Sequence, residues 1–205
     1  MKNILAIETA TNVCSISLFL NGGLVDTIES DEPRSHAVKL PVFTDEILKS
    51  NKCTVNDLDG IAISSGPGSY TGLRIGMSLA KGLALSCNLP LLPVKTLYAM
   101  DMNIEEDEPH WVCIHSHKNM VYAQKYNKHE PVSEATCIPI EDLDTSPVFG
   151  TELQKINGSI DFTEIFLSSQ NIGRFALNNT AKLVEKDYQK VSPFYLTEFN
   201  INKLV

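Results

Sequence analysis

Ser64-Ser65-Gly66-Pro67-Gly68-Ser69-Tyr70-Thr71-Gly72-Leu73-Arg74-Ile75-Gly76 is the stretch whose reading decides the fold. Gly60-Ile61-Ala62-Ile63 just before it is a short apolar run, the pattern of a buried strand. After it, residues that favour helix continue to Ser86, with no proline before Pro90. The local reading is strand, Gly-Pro-Gly turn, helix. Gly66 and Gly68 permit a tight structural turn and Pro67 stiffens it, while Ser69 or Thr71 can cap the helix.

A glycine turn feeding a helix start is also how phosphate sites are built, since free N–H groups and the helix dipole favour an anion. The specific signatures are not met. A Walker loop needs Lys after its last glycine, and Leu73 follows Gly72. A dinucleotide fingerprint starting at Gly66 meets Thr71 at its final position. Within the helix, Gly72, Gly76, Ala80 and Ala84 recur every fourth residue and share one face. Two glycines inside a helix cost about 1 kcal/mol each, so the stripe has a packing reason: a helix of this chain, or a second chain.

Working outward, Ile4–Ile7 reads as a strand and Cys14–Leu20 as a second, with apolar residues alternating. Asn21-Gly22-Gly23 is a hairpin signal, and Leu24–Ile28 returns. Ser35–Lys49 reads as a helix capped by Ser35, with Ala37, Leu40, Ile47 and Leu48 on one face. Pro41 predicts a kink or a late start. Asn51–Asp59 is a polar link, Pro90–Val94 a short strand and Thr96–Met102 a short helix.

Asn103–Glu108, with four acids in a row, marks the expected boundary between two lobes, residues 1–102 and 103–205. Trp111–Ile114 and Val121–Tyr126 pair as strands, Val148–Gly150 and Glu164–Leu167 are further strands, and Ile172–Lys186 is a helix. His110, His115 and His117 are candidates for a metal site; no third ligand at a suitable spacing follows, and a solvated hairpin is the expectation. Glu8 offers a carboxylate at the end of the first strand, followed by Thr9-Ala10-Thr11, and a polar turn residue bonding to nearby backbone is the expectation.

The chain has 205 residues, enough for one good core or two small lobes, with 43% hydrophobic and 20% charged residues. No apolar run approaches the roughly 20 residues of a membrane helix, and the apolar start is interrupted at Glu8, too early for a secretory signal. Five scattered cysteines without a Cys-x-x-Cys pair suit reduced thiols and a cytoplasmic setting. The net charge of −8 and the absence of basic runs argue against tight RNA binding by this chain alone.

Gly66–Gly76, followed by Ala80-Lys81-Gly82-Leu83-Ala84, resembles the signature of the bacterial TsaB (YeaZ) family. Ser35-His36-Ala37 with Leu40-Pro41, and the closing Pro193-Phe194-Tyr195-Leu196, resemble that family too, although Thr197 stands where Arg commonly follows. The resemblance is strong over 1–100 and weak from 101 to 190. It implies an α/β, actin-like (sugar kinase/Hsp70-like) fold with a small, degenerate second lobe. It also implies a non-catalytic partner of a TsaD-type enzyme that transfers a threonylcarbamoyl group to adenosine-37 of transfer RNA.

The catalytic relatives carry a His-x-x-x-His pair near residues 94–100, and this chain has no histidine there. By resemblance the partner contacts come from His36, Leu40 and Phe43 on one helix and Thr71, Ile75, Gly76 and Leu79 on the other. A TsaE-type ATPase is expected to dock on the pair, and a homodimer to form when the chain is alone. No metal and no resident cofactor are expected, with ATP or ADP only at a junction between subunits. The alternative is an actin-like ATPase or phosphotransferase acting on its own, with Glu8 and the Gly66–Thr71 turn around the nucleotide.

Overall fold

The computed structural model describes residues 1–156 and 161–196. Thr197, noted above, lies outside the described residues. β1 (Ile4–Glu8), β2 (Cys14–Leu20) and β3 (Gly23–Ser30) form an antiparallel meander around the Asn21–Gly22 turn. α1 (His36–Ser50) leads to β4 (Gly60–Ser64), α2 (Tyr70–Cys87), β5 (Leu91–Val94) and α3 (Thr96–Asp101). β4 and β5 run parallel to β1, giving the sheet order β3-β2-β1-β4-β5.

β1 is apolar at four of its five positions because both faces of the sheet are covered. Leu5 and Ile7 enter one core with Leu40, Ile47, Met77 and Ala80 from α1 and α2. Ile4 and Ala6 enter the opposite core with Leu97, Ile172 and Ala176. Alternate side chains of one strand thus build two cores.

The second sheet contains β6 (His110–His117), β7 (Met120–Asn127), β8 (Glu130–Pro131), β9 (Thr136–Pro139), β10 (Val148–Thr151) and β11 (Thr163–Glu164). Its order is β11-β10-β6-β7-β8, with β9 also paired to β7. Val112, Ile114 and Tyr126 of this sheet reach the core beneath the first one, so the two sheets share a packed layer.

The chain then returns. α4 (Ser169–Asn178) packs on β1, β2 and β4, and α5 (Thr180–Leu183) on β5. The return is pinned by paired 2.9 Å backbone hydrogen bonds between Leu91 and Glu185, and by the 2.6 Å bond from Phe194 N to Ser65 O. A boundary at 102/103 therefore separates the sheets, while 169–194 belong spatially to the first. The helix expected over Ile172–Lys186 is broken at Asn179, and Glu164–Leu167 is extended only at Thr163–Glu164, with Leu167 buried.

Two local expectations are corrected, and one of two alternatives at Pro41 is removed. Ser35 occupies the N-cap position of α1, but its hydroxyl donates to Glu32 O at 2.6 Å and caps nothing. Ala37 faces solvent, not the core. Pro41 stands inside α1 with no late start. Its missing N–H leaves the Ala37 carbonyl without a helical donor, at a position where both residues are exposed to solvent.

Candidate functional site

The Gly66–Gly68 turn is built by close packing on three sides. Gly66 is bonded at both backbone groups: its N–H donates to Thr96 Oγ1 at 3.1 Å, and its carbonyl accepts from Thr96 N at 2.9 Å. Gly66 has φ +105°, and a Cβ there would lie 2.5 Å from Phe194 O of the returning strap. Gly68 lies against Ala10, whose carbonyl accepts from Ser69 N at 2.7 Å. Pro67 is buried between them. Ser69, not Thr71, caps α2, its hydroxyl accepting from Gly72 N at 3.2 Å. The glycines thus serve chain-to-chain approach within the fold.

The small-residue stripe also faces inward. Gly72, Gly76, Ala80 and Ala84 are all buried, and side chains at Gly72 and Gly76 would overlap Thr9 after β1. At Gly72 and Gly76 what approaches closely is the β1 exit and the sheet, while Ala80 and Ala84 share the first core with Leu40 and Ile47 of α1.

This sorts the expected partner residues. Leu40 is fully enclosed in the core and Gly76 is covered by Thr9. His36 is buried, with Nε2 lacking a partner among the described residues. Phe43, Ile75 and Leu79 are half-buried on the outer side of the first core, and Thr71 is exposed. The sequence reading missed Val38, Val42 and Leu85, which are 73%, 57% and 70% exposed on the same two helices. The outward apolar residues of α1 and α2 are these, not Leu40 and Gly76. Their signal was the excess of apolar residues over what one buried face needs.

A second feature is a cavity of about 660 Å³ between the sheets, lined by Asn12, Ser69, His115, His117, Glu152 and Lys155 among others. Glu152 reaches across it to accept from Asn12 N at 2.8 Å and pairs with Lys155. Glu8 is not among the lining residues. It is fully buried, accepts a hydrogen bond from Ala10 N, and burial pushes its carboxyl up to about 7. That is a buried turn carboxylate, with one oxygen unpartnered among the described residues.

The three histidines part company. His115 and His117 flank a register shift at the β6–β7 turn, where His115 Nε2 meets Lys118 O at 3.1 Å. His110 opens the same hairpin opposite Tyr126, but it is fully buried and not solvated, its Nε2 2.9 Å from Asp101 Oδ1 and its Nδ1 2.8 Å from Glu108 O. His129 completes the cluster, 3.0 Å from the other Asp101 oxygen. Among the described residues no three His, Cys, Asp or Glu side chains are placed to hold a metal, and no helix is long and apolar enough to cross a membrane.

The family model for TsaD, tRNA N6-adenosine threonylcarbamoyltransferase, matches residues 21–155. The chain belongs to this family. Its curated relatives include TsaB proteins. The tRNA threonylcarbamoyladenosine biosynthesis protein TsaB of Escherichia coli (strain K12) is 41% identical over 97 residues, 47% of this chain and 42% of that protein. TsaB of Haemophilus influenzae is 37% identical over 102 residues, covering 49% and 43%. The aligned part of the chain thus spans a little under half the length of the curated relatives it matches. The solved structure of YeaZ from Pseudomonas aeruginosa superposes with a TM-score of 0.77 at 22% identity, covering 96% of this chain and all of that one. The fold of that solved structure therefore extends over the second half of the chain, where sequence resemblance fades.

Proposed function

We propose that this TsaB-like chain is a non-catalytic subunit that pairs with a TsaD-type enzyme and supports threonylcarbamoyl transfer to adenosine-37 of transfer RNA. The observation that carries the reading is the outward apolar set on α1 and α2 (Val38, Val42, Phe43, Ile75, Leu79 and Leu85) in a chain of this family. Exposed apolar side chains concentrated on two neighbouring helices seek a partner. The same surface would serve a homodimer when the chain is alone, and a TsaE-type ATPase would dock on the assembled pair. On this reading the chain works in the cytoplasm with no cofactor of its own, and ATP or ADP is held only where subunits meet.

Light scattering after size exclusion, on the chain alone and mixed with the TsaD-type subunit of the same genome, tests this. A one-to-one complex is expected, lost in Val42→Glu and Thr71→Arg, both at exposed positions. Absence of a complex at micromolar concentration overturns the reading. Gly76→Arg is no interface probe, because Gly76 is buried. The inter-sheet cavity favours one second reading, a nucleotide held there by Lys155. Titration calorimetry of the lone chain with ATP, with and without Lys155→Ala, tests that one.

A further inference from the structure

The returning segment does more than close the first core. Between β5, α5 and the strap at 190–192 lies a cleft of about 310 Å³, lined by Ser65, Lys95, Lys182, Glu185, Lys190 and Ser192 among others. Three lysines against one glutamate make its lining net positive in a chain whose formal charge is −8. Beside it, Lys95 Nζ stands 5.8 Å above the ring of Phe194, which is 40% exposed and is followed by Tyr195 at 38%. Lys190 lies 3.5 Å from Asp187 at the rim, a long and exposed pair that a stronger anion would displace.

These cations are held in place. Lys182 rides on α5, next to the segment whose Glu185 is bonded to Leu91 of β5. Lys190 follows Tyr188, whose hydroxyl donates to Leu89 O at 2.7 Å and to Ala84 O at 3.2 Å. Lys95 leaves the end of β5 directly. Lysines from three separate segments therefore line one cleft from fixed backbone positions.

We infer that this cleft is a contact site for an RNA phosphodiester backbone, with the exposed face of Phe194 available to an unstacked base. Phosphate charge answers the lysines, and a ring beside them is what a looped or single-stranded nucleic acid uses and an acidic peptide does not. The inference rests on the proposed function in taking transfer RNA as the RNA concerned. Three lysines give a weak grip, so the site adds to a partner's hold and does not make this chain a tight RNA binder.

The test uses the full chain alone, at low salt, with a fluorescent transfer-RNA transcript read by anisotropy. One variant carries Lys95→Glu, Lys182→Glu and Lys190→Glu. A control carries Lys2→Glu, Lys49→Glu and Lys52→Glu, the same charge change elsewhere on the exposed surface. Thermal melts confirm that both fold. The cleft variant should bind at least about tenfold more weakly and flatten the salt dependence by about 2 in slope, since each lost phosphate contact removes about 0.7 to 0.9. The control should stay near wild type. Equal losses in both variants, no loss in either, or no binding by wild type overturns the inference. If the cleft variant keeps RNA binding but no longer pairs with the TsaD-type subunit, the cleft is a protein contact and the RNA inference falls. Because the titration needs no partner, its outcome is independent of whether the pair forms.

Discussion

Gly76 of α2 stands where Thr9 leaves no room: a Cβ at that position would overlap the Thr9 hydroxyl. One turn earlier, a Cβ at Gly72 would run into the Thr9 carbonyl, which is backbone and has no rotamer to escape into. The helix that follows the central turn is thus seated on the first strand's exit by two missing side chains.

That seating separates the glycines of α2 by their cost. Gly82 faces solvent, and a Cβ added there would meet nothing within 4 Å. Gly82→Ala should raise unfolding stability by about 0.5–1 kcal/mol through helix propensity alone. Gly72→Ala should lower it by about 1–3 kcal/mol or more, because overlap with backbone forces α2 away from the sheet. Urea unfolding of the two variants checks both signs.

The Glu8 carboxyl gives a pH dependence of defined direction. Burial raises its pKa from an ordinary 4.5 to about 7. Below pH 4.5 it is protonated folded and unfolded, and contributes no slope. Between about 4.5 and 7 the unfolded chain releases the proton while the folded chain keeps it, so stability falls as pH rises, then levels off. The difference between 4.5 and about 7 corresponds to about 3 kcal/mol. Asp57 and Asp59, held low by hydrogen bonds, act with opposite sign and only in more acid solution. Glu8→Gln should therefore stabilise the protein at about pH 8 and remove most of the decline between about pH 5 and 7, measured by urea unfolding at several pH values.

α4 is held to the first sheet by hydroxyls as well as by Ile172 and Ala176. Ser169 Oγ lies 2.6 Å from both Ser15 Oγ and Ser17 Oγ, with all three residues fully buried. Ser15 in turn donates to Glu29 at 2.6 Å, and Ser17 meets Thr27 at 2.8 Å. Ser169→Ala removes the central member and should cost about 1–3 kcal/mol, the usual penalty for buried polar groups left short of a partner. Protease nicking near 169–194 should rise in parallel if the loss loosens this return.

The first half of the fold was legible because its signals are local. The apolar run before Gly66, the Asn21–Gly22 turn and the helix to Ser86 each specify themselves over a short stretch of chain. The return of 169–194 was not legible. The apolar residues of α4 announce one buried face but not which sheet covers it, and the pairing of Leu91 with Glu185 spans 94 positions. Of the residues expected to meet a partner, Leu40 and Gly76 are packed inside the fold, while Val38, Val42 and Leu85 on the same helices face outward. Apolar character alone does not say which face of a helix is covered. The lysine cleft was invisible because Lys95, Lys182 and Lys190 form no run in the sequence. Asp101 and His110 were missed as a pair because only β6's register brings them together.

That pair supports the last prediction. Asp101 and His110 are both fully buried, with Asp101 held between His110 at 2.9 Å and His129 at 3.0 Å. His110 also packs edge-on against Phe149, ring centroids 5.3 Å apart. His110→Phe keeps an aromatic ring against Phe149 but removes one of Asp101's two partners, which should cost about 1–3 kcal/mol, the penalty of a buried polar group left short of a partner. His129 is 42% exposed at its side chain, so water replaces much of what His129→Ala removes, and about 1 kcal/mol is expected. Adding Asp101→Leu to His110→Phe should recover most of the loss, because an apolar pair of similar volume needs no compensation. Urea unfolding of the three variants decides the matter: if His110→Phe costs no more than His129→Ala, the buried His110–Asp101 hydrogen bond is not what holds α3 to the second sheet.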